Sequence, residues 1–208
     1  MNRNSSAQHS PSICYNEPRQ PCTNKEGTII MRVLFIGNSH TYYNDMPHIF
    51  SRLCHEQNTD VEVTMLAHGG KGWDFHLKEP EVRFNILYGG YDAVILQHVA
   101  HPMGDLSVMD KSGRELIRWV SDAGARPILY MTWTMKADGE AAQASMSNAY
   151  RRLQQETGCE LAPVGEKWWE YHREHPEVEL YDADGQHASP AGSRLAASVI
   201  AETFLATV

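Results

Sequence analysis

Nowhere in its 208 residues does this chain string together the roughly 18 to 20 apolar residues that a membrane-crossing helix requires, so no membrane partner is expected. Basic charge is also short. Eighteen Lys and Arg stand against 26 Asp and Glu, a formal net charge of -8, and they are not gathered into a stripe, which argues against nucleic acid as a partner. Cysteine is sparse: Cys14, Cys22, Cys54 and Cys159 form no C-x-x-C pair, which fits neither a zinc framework nor a disulfide scaffold and is ordinary for reduced thiols in a cytoplasmic protein. The first thirty residues are polar, rich in Pro, Ser and Asn, and lack an apolar stretch of signal-peptide type. Residues 1–30 are therefore expected to form a disordered tail, or to be absent altogether if translation starts at Met31.

What remains is ample. With 42% hydrophobic and 21% charged residues, residues 31–208 can bury the core of one domain. Short β-branched runs alternate with longer amphipathic ones. MRVLFIG (31–37), DVEVTMLA (60–67), YDAVILQ (91–97), RPILYMTW (126–133) and CELAPV (159–164) read as strands. Helical windows follow at 45–57, with Ile49 and Leu53 inward and Phe50 beside them, then at 81–88, 108–123 and 140–157. A last helix should begin at Ser189-Pro190. Strands spaced by helices predict a three-layer α/β/α sandwich around a parallel sheet of about five strands. In such a sheet, chemistry collects where loops leave the carboxyl ends of the strands.

Ser39 sits at one such end. It follows the first strand, Gly37 lets the chain turn, and the start of a helix favours negative charge beside the hydroxyl; the plain alternative is a helix cap. Near the other terminus, Asp184-Gly185-Gln186-His187 places a carboxylate three residues before an imidazole. A carboxylate so placed can bond Nδ1 and fix the tautomer while Nε2 turns to a hydroxyl. Serine, base and orienter are thus all present.

FIGNSHT, a glycine-bearing loop after the second strand (AHGGKGWDF) and DADGQH before the last helix together resemble the SGNH/GDSL hydrolase superfamily of esterases and lipases. The resemblance implies a flavodoxin-like α/β fold over residues 31–208, with Ser39 as nucleophile, His187 as general base and Asp184 as its orienter. It implies an oxyanion hole from the N–H of Ser39, from Gly72 (Gly70 as the fallback) and from a third-block side chain. No cofactor is implied. Two blocks depart from the family pattern: Asn38 stands where the family has Asp, and YDAVILQHVAHPMGD contains no asparagine for the third donor. Gln97 carries the same amide group and is the preferred substitute, with His101 as fallback.

Asn38, His40 and Trp133 are expected in the substrate cleft, whereas Trp168, Trp169 and Tyr171 suit helix packing better than sugar stacking. Adjacent Trp168 and Trp169 cannot both face the sheet, so at least one should meet a loop or solvent. His68, His98 and His101 match no metal-ligand signature, and no metal is expected. The expected activity is hydrolysis of short acyl esters, acetyl above all, of a small molecule or carbohydrate. The rivals are a non-catalytic ligand-binding relative and a metal-dependent hydrolase using the loop histidines.

Overall fold

Val33 and Phe35 face one side of the first strand, Leu34 and Ile36 the other, and each side meets its own cluster of buried residues. This period of two, repeated by Ala93 and Ile95 against Val94 and Leu96, sorts the chain into three layers. The computed structural model describes residues 23, 29–101 and 103–208. The expectation for residues 1–30 thus lies, except at Thr23, Ile29 and Ile30, outside the described residues, as do Cys14 and Cys22.

The sheet is formed by β1 (Ile30–Gly37), β2 (Asp60–Ala67), β3 (Ala93–Gln97), β4 (Arg126–Tyr130) and β5 (Glu160–Ala162). Its order is β2-β1-β3-β4-β5, all parallel, the flavodoxin-like doubly wound order. The strand order reverses between β1 and β3, which leaves a crevice above their carboxyl ends. Ser39 follows β1 at that crevice.

One face is covered by α2 (Met46–Glu56), α7 (Val164–Glu174) and α8 (Pro190–Leu205). The other is covered by α3 (Trp73–His76), α4 (Pro80–Tyr88), α5 (Leu106–Asp122) and α6 (Gly139–Thr157). In α2 the buried stripe is Met46, Phe50 and Cys54 at i, i+4, i+8. Ile49 and Leu53 lie at its margin, partly buried, rather than at its centre. Phe50 packs edge-on between Phe35 and Phe204 at 5.2 and 5.6 Å; burying such a ring contributes roughly 1.5–3 kcal/mol. As expected, Ser189 caps α8, its hydroxyl accepting from Gly192 N at 3.2 Å, with Pro190 in the first turn.

Three strands are shorter than the runs that predict them: β3 starts only at Ala93, and β4 and β5 stop early. β4 ends at Tyr130 because β5 pairs only with Ile128–Tyr130, and Pro163, which has no N–H to continue a ladder, leads directly into α7. Met131 and Trp133 are buried all the same, in loop conformation. Both adjacent tryptophans of α7 are buried as well: Trp168 is stacked on Trp133 at 3.9 Å, and Trp169 Nε1 donates to Thr134 Oγ1 at 3.2 Å in the loop after β4. Among the described residues no helix is long and apolar enough to cross a membrane.

Candidate active site

β1 ends in a peptide gripped from several directions. A Cβ on Gly37 would lie 2.3 Å from Thr41 Oγ1 and 2.5 Å from Gln97 Oε1. Close approach, and not a positive φ, is therefore why glycine stands here. Asn38 then opens the short helix α1 (Ser39–Tyr42) as its N-cap, its Oδ1 accepting from His40 N at 3.0 Å while its carbonyl accepts from Thr41 N at 2.9 Å. Asn38, not Ser39, is the cap, which leaves the Ser39 hydroxyl for other partners. With the next two amides bound by Asn38, the Ser39 N–H heads the helix with no intrahelical acceptor.

Asn38 also explains its own departure from the family's Asp. Its Nδ2 donates to the Lys71 carbonyl at 3.0 Å and so registers the 68–72 loop against the serine block. A carboxylate has no donor for that bond.

The three residues from opposite ends of the chain meet as a hydrogen-bonded series. His187 Nε2 lies 2.8 Å from Ser39 Oγ, and His187 Nδ1 lies 2.5 Å from Asp184 Oδ2. Asp184 Oδ1 meanwhile accepts from the backbone N–H groups of Gln186 and His187 at 2.9 and 3.0 Å. Burial works against ionisation of Asp184, but the His187 ring and those two amides outweigh it and bring its carboxyl down to about 2. The carboxylate therefore stays charged at neutral pH and accepts the Nδ1 proton of His187, leaving Nε2 to face the serine.

Around this series lies a cleft of about 320 Å³ lined by Asn38, Ser39, His40, Tyr42, Tyr43, Gly69, Gly70, Val99, Ala100, His101, Gln186 and His187. Gly70 is in it, with φ 70° and open space where a Cβ would be. Gly72, the expected oxyanion glycine, is not: it caps α3 and packs against the His98 ring, 2.8 Å from where its Cβ would stand. The fallback, Gly70, lines the cleft beside Gly69.

Gln97 also departs from expectation. It is fully buried beneath the cleft, its Oε1 accepting from Asn38 N at 2.8 Å and Thr41 Oγ1 at 3.0 Å, and its Nε2 donates to the His98 carbonyl. Its amide fixes the floor and offers nothing to the cleft. His101 does line the cleft, with a buried Nε2 that has no partner among the described residues. Desolvation in first place pushes its imidazole below the ordinary range, so it is neutral there at neutral pH.

Of the expected cleft residues, Asn38 and His40 line its floor, although His40 is only 7% exposed. Trp133 does not reach it. Its indole is fully buried under His40, 5.3 Å between rings, and Nε1 donates to the Gln186 carbonyl at 2.9 Å, so it holds the His187 loop from below. The loop histidines scatter. His68 pairs with Glu81, His98 Nδ1 accepts from Trp73 N, and His101 leans on His40. Among the described residues no group of three His, Cys, Asp or Glu could hold a metal.

Sequence reasoning missed Tyr43, whose ring lies face to face with His187 at 4.0 Å. It also missed His76, whose Nε2–H donates to the Gly37 carbonyl at 2.8 Å beneath the serine turn. The signal for Tyr43 was its position four residues after the serine; for His76 there was none.

Neither a family model nor a curated protein sequence matches the chain. Solved structures do. A lipase/acylhydrolase from Enterococcus faecalis (14% identity, TM-score 0.68, 85% of this chain and 96% of that one) and an acetyl xylan esterase (17% identity, TM-score 0.65, 86% and 100%) share its fold. A protein from Slackia heliotrinireducens described as a candidate SGNH hydrolase is 31% identical, with a TM-score of 0.71 over 84% of this chain and 99% of that one. At that identity and coverage, and with the serine and histidine blocks meeting at the crevice between β1 and β3, the chain belongs to the SGNH/GDSL hydrolases, a superfamily of esterases and lipases.

Proposed function

We propose that the protein cleaves carboxylic esters through an acyl-enzyme on Ser39, with short acyl groups, acetyl first, on small alcohols or carbohydrates as substrates. The observation that carries the reading is the series Ser39 Oγ, His187 and Asp184, with gaps of 2.8 and 2.5 Å. His187 Nε2 takes the hydroxyl proton as Oγ bonds to the acyl carbon, the carbonyl pair moves onto oxygen, and the N–H groups of Ser39 and Gly70 meet that charge. The His101 imidazole serves as third donor in place of the family's asparagine. His187 then protonates the leaving alcohol and, in the second half, takes a proton from the water that releases the acid.

The cleft's size supports a short acyl group, since about 320 Å³ is at the small end of ligand sites, which run to about 1,000 Å³. The exposed Tyr42 ring at its rim suits a sugar face. A second cavity of about 520 Å³ shares Ala100, His101 and Gln186 with the first and gives the alcohol room on the His101 side, toward Thr134 and Met146. Cys54 and Cys159, buried free thiols, are in keeping with a cytoplasmic setting.

Incubation with a fluorophosphonate, followed by mass spectrometry, tests the reading without a guess at the substrate. We expect an adduct on Ser39 that is lost in Ser39→Ala and nearly lost in His187→Ala, and hydrolysis of nitrophenyl acetate well above that of the octanoate. A folded protein that takes no label would make it a ligand-binding relative instead.

A further inference from the structure

The His187 ring lies between two aromatic faces. Tyr43 is stacked on one side with centroids 4.0 Å apart and planes 9° from parallel, and His40 stands on the other at 5.0 Å and 33°. The Tyr43 ring is not set there by a regular helix. It begins a single 3-10 turn, Tyr43–Asp45, in which Asn44 and Asp45 have φ of 52° and 58°, a left-handed conformation that residues with side chains seldom adopt. What holds this turn is the segment after the histidine. Asn44 Nδ2 donates to the Ala188 carbonyl at 2.8 Å and to Ser193 Oγ at 2.9 Å, and Ser193 Oγ donates in turn to the Tyr43 carbonyl at 3.3 Å. Asn44 is otherwise exposed. These bonds clasp the chain on both sides of the stacked pair, joining the serine block to the histidine block.

We propose that Tyr43, locked in place by Asn44, is a positioning residue that presents its ring face to His187 and favours the protonated imidazole formed while Ser39 is acylated. The inference rests on the serine-hydrolase reading given above. A cation over an aromatic face is stabilised by the ring quadrupole, and a face-on stack also keeps the imidazole plane turned so that Nδ1 stays on Asp184 and Nε2 on Ser39.

Among the described residues, the other titratable groups around the ring come from three elements: Asp184 from its own loop, His40 from α1 and His101 from the loop after β3. Asp184 also favours the charged ring. His40 and His101 would oppose it if they were charged. Burial, more than any neighbour, holds both below the ordinary range, His40 down to about 3, so both remain neutral as His187 gains its proton. Tyr43 and Asp184 are thus the two groups that act in its favour.

The test compares wild type, Tyr43→Leu, Tyr43→Phe and Asn44→Gly in fluorophosphonate labelling and in nitrophenyl acetate hydrolysis between pH 6 and 9. Tyr43→Leu keeps bulk but has no ring face. It should lose about tenfold in kcat, the order expected of a partly desolvated cation–π contact, with KM changed less than about twofold. Because a less favoured imidazolium gives up its proton sooner, the acid limb of its kcat/KM profile should move to lower pH. Tyr43→Phe should recover most of the loss, and Asn44→Gly, which keeps the left-handed turn and drops the clasp, should move in the direction of Tyr43→Leu. A wild type labelled on Ser39 beside a Tyr43→Leu variant with unchanged kcat and pH profile overturns the inference alone, and so does a Tyr43→Phe as impaired as Tyr43→Leu. A wild type with no label on Ser39 overturns the serine-hydrolase reading and this inference with it.

Discussion

Acidification from pH 7 to pH 5 should remove a large part of this protein's stability, because three imidazoles beneath the cleft are held neutral. His76, His98 and His40 are 0, 3 and 7% exposed. Burial in each case dominates the downward push, to about 4 for His76 and His98 and about 3 for His40. His98 Nδ1 accepts from Trp73 N, so that atom has no place for a proton. In the unfolded chain each group returns to about 6.5. The folded values are the lower ones, so the unfolded state binds more protons between about pH 6.5 and pH 4. Stability is therefore complete above that range and falls as pH drops through it. One pH unit is worth about 1.4 kcal/mol per proton, so each histidine costs about 2 kcal/mol by pH 5 and the three about 6. A domain of this size is stable by only about 5–15 kcal/mol. At about 2–4 °C per kcal/mol, Tm should fall by roughly 12–24 °C. Calorimetry at constant ionic strength, repeated in buffers of different ionisation enthalpy, gives both Tm and proton uptake on unfolding, expected at about three protons at pH 5. His76→Gln keeps a donor for Gly37 and cannot titrate, and should remove about one of them. A Tm that moves less than about 5 °C, or an uptake below about one proton, would refute the reasoning.

Two further substitutions probe the floor of the site. Gln97→Leu keeps most of the volume but leaves Asn38 N and Thr41 Oγ1 without their shared acceptor, and should cost about 2–4 kcal/mol in urea unfolding; a variant as stable as wild type would mean those donors find water. Asn38→Asp restores the family's residue and should nevertheless be harmful, since it removes the donor to the Lys71 carbonyl and sets a carboxylate against it, at about 1–3 kcal/mol. Higher activity without loss of Tm would contradict that role for the amide.

The strands and their parallel sheet were legible from local signals, and the pairing of Ser39 with His187 from the resemblance carried by the two end blocks. Apolar runs of period two mark strands, and Asp184 and His187 lie three residues apart in one loop. What escaped depends on direction and on distant partners. A glutamine at a strand end looks the same in sequence whether its amide points up to a cleft or down into the floor, and the atoms that turn Gln97 down lie near Asn38 and Thr41, separated from it by 59 and 56 residues. Trp133 was placed in the cleft because its run reads as strand, yet β5 has no residues left to pair beyond Ala162. Tyr43 escaped because its ring is placed by two left-handed residues, neither of them glycine.

The absent third-block asparagine looks like a loss until the grip on Gly37 is followed outward. Gln97 Oε1 takes the Asn38 amide and the Thr41 hydroxyl from below, and its carbon stem leaves no room for a Cβ on Gly37. His76 Nε2 and His68 N both donate to the Gly37 carbonyl. The peptide before Ser39, the nucleophile of the proposed reaction, is therefore fixed by groups from β3, α3 and the loop after β2, and Asn38 fixes that loop in return through Lys71. An oxyanion hole made of main-chain N–H groups is only as good as the position of that main chain. On the proposed mechanism, the side chain that stands in the third block holds the backbone donors in place, where the family pattern would have it donate. Loss of Gln97 should accordingly weaken catalysis through misplacement of Ser39, and the activity of Gln97→Leu should fall together with its stability.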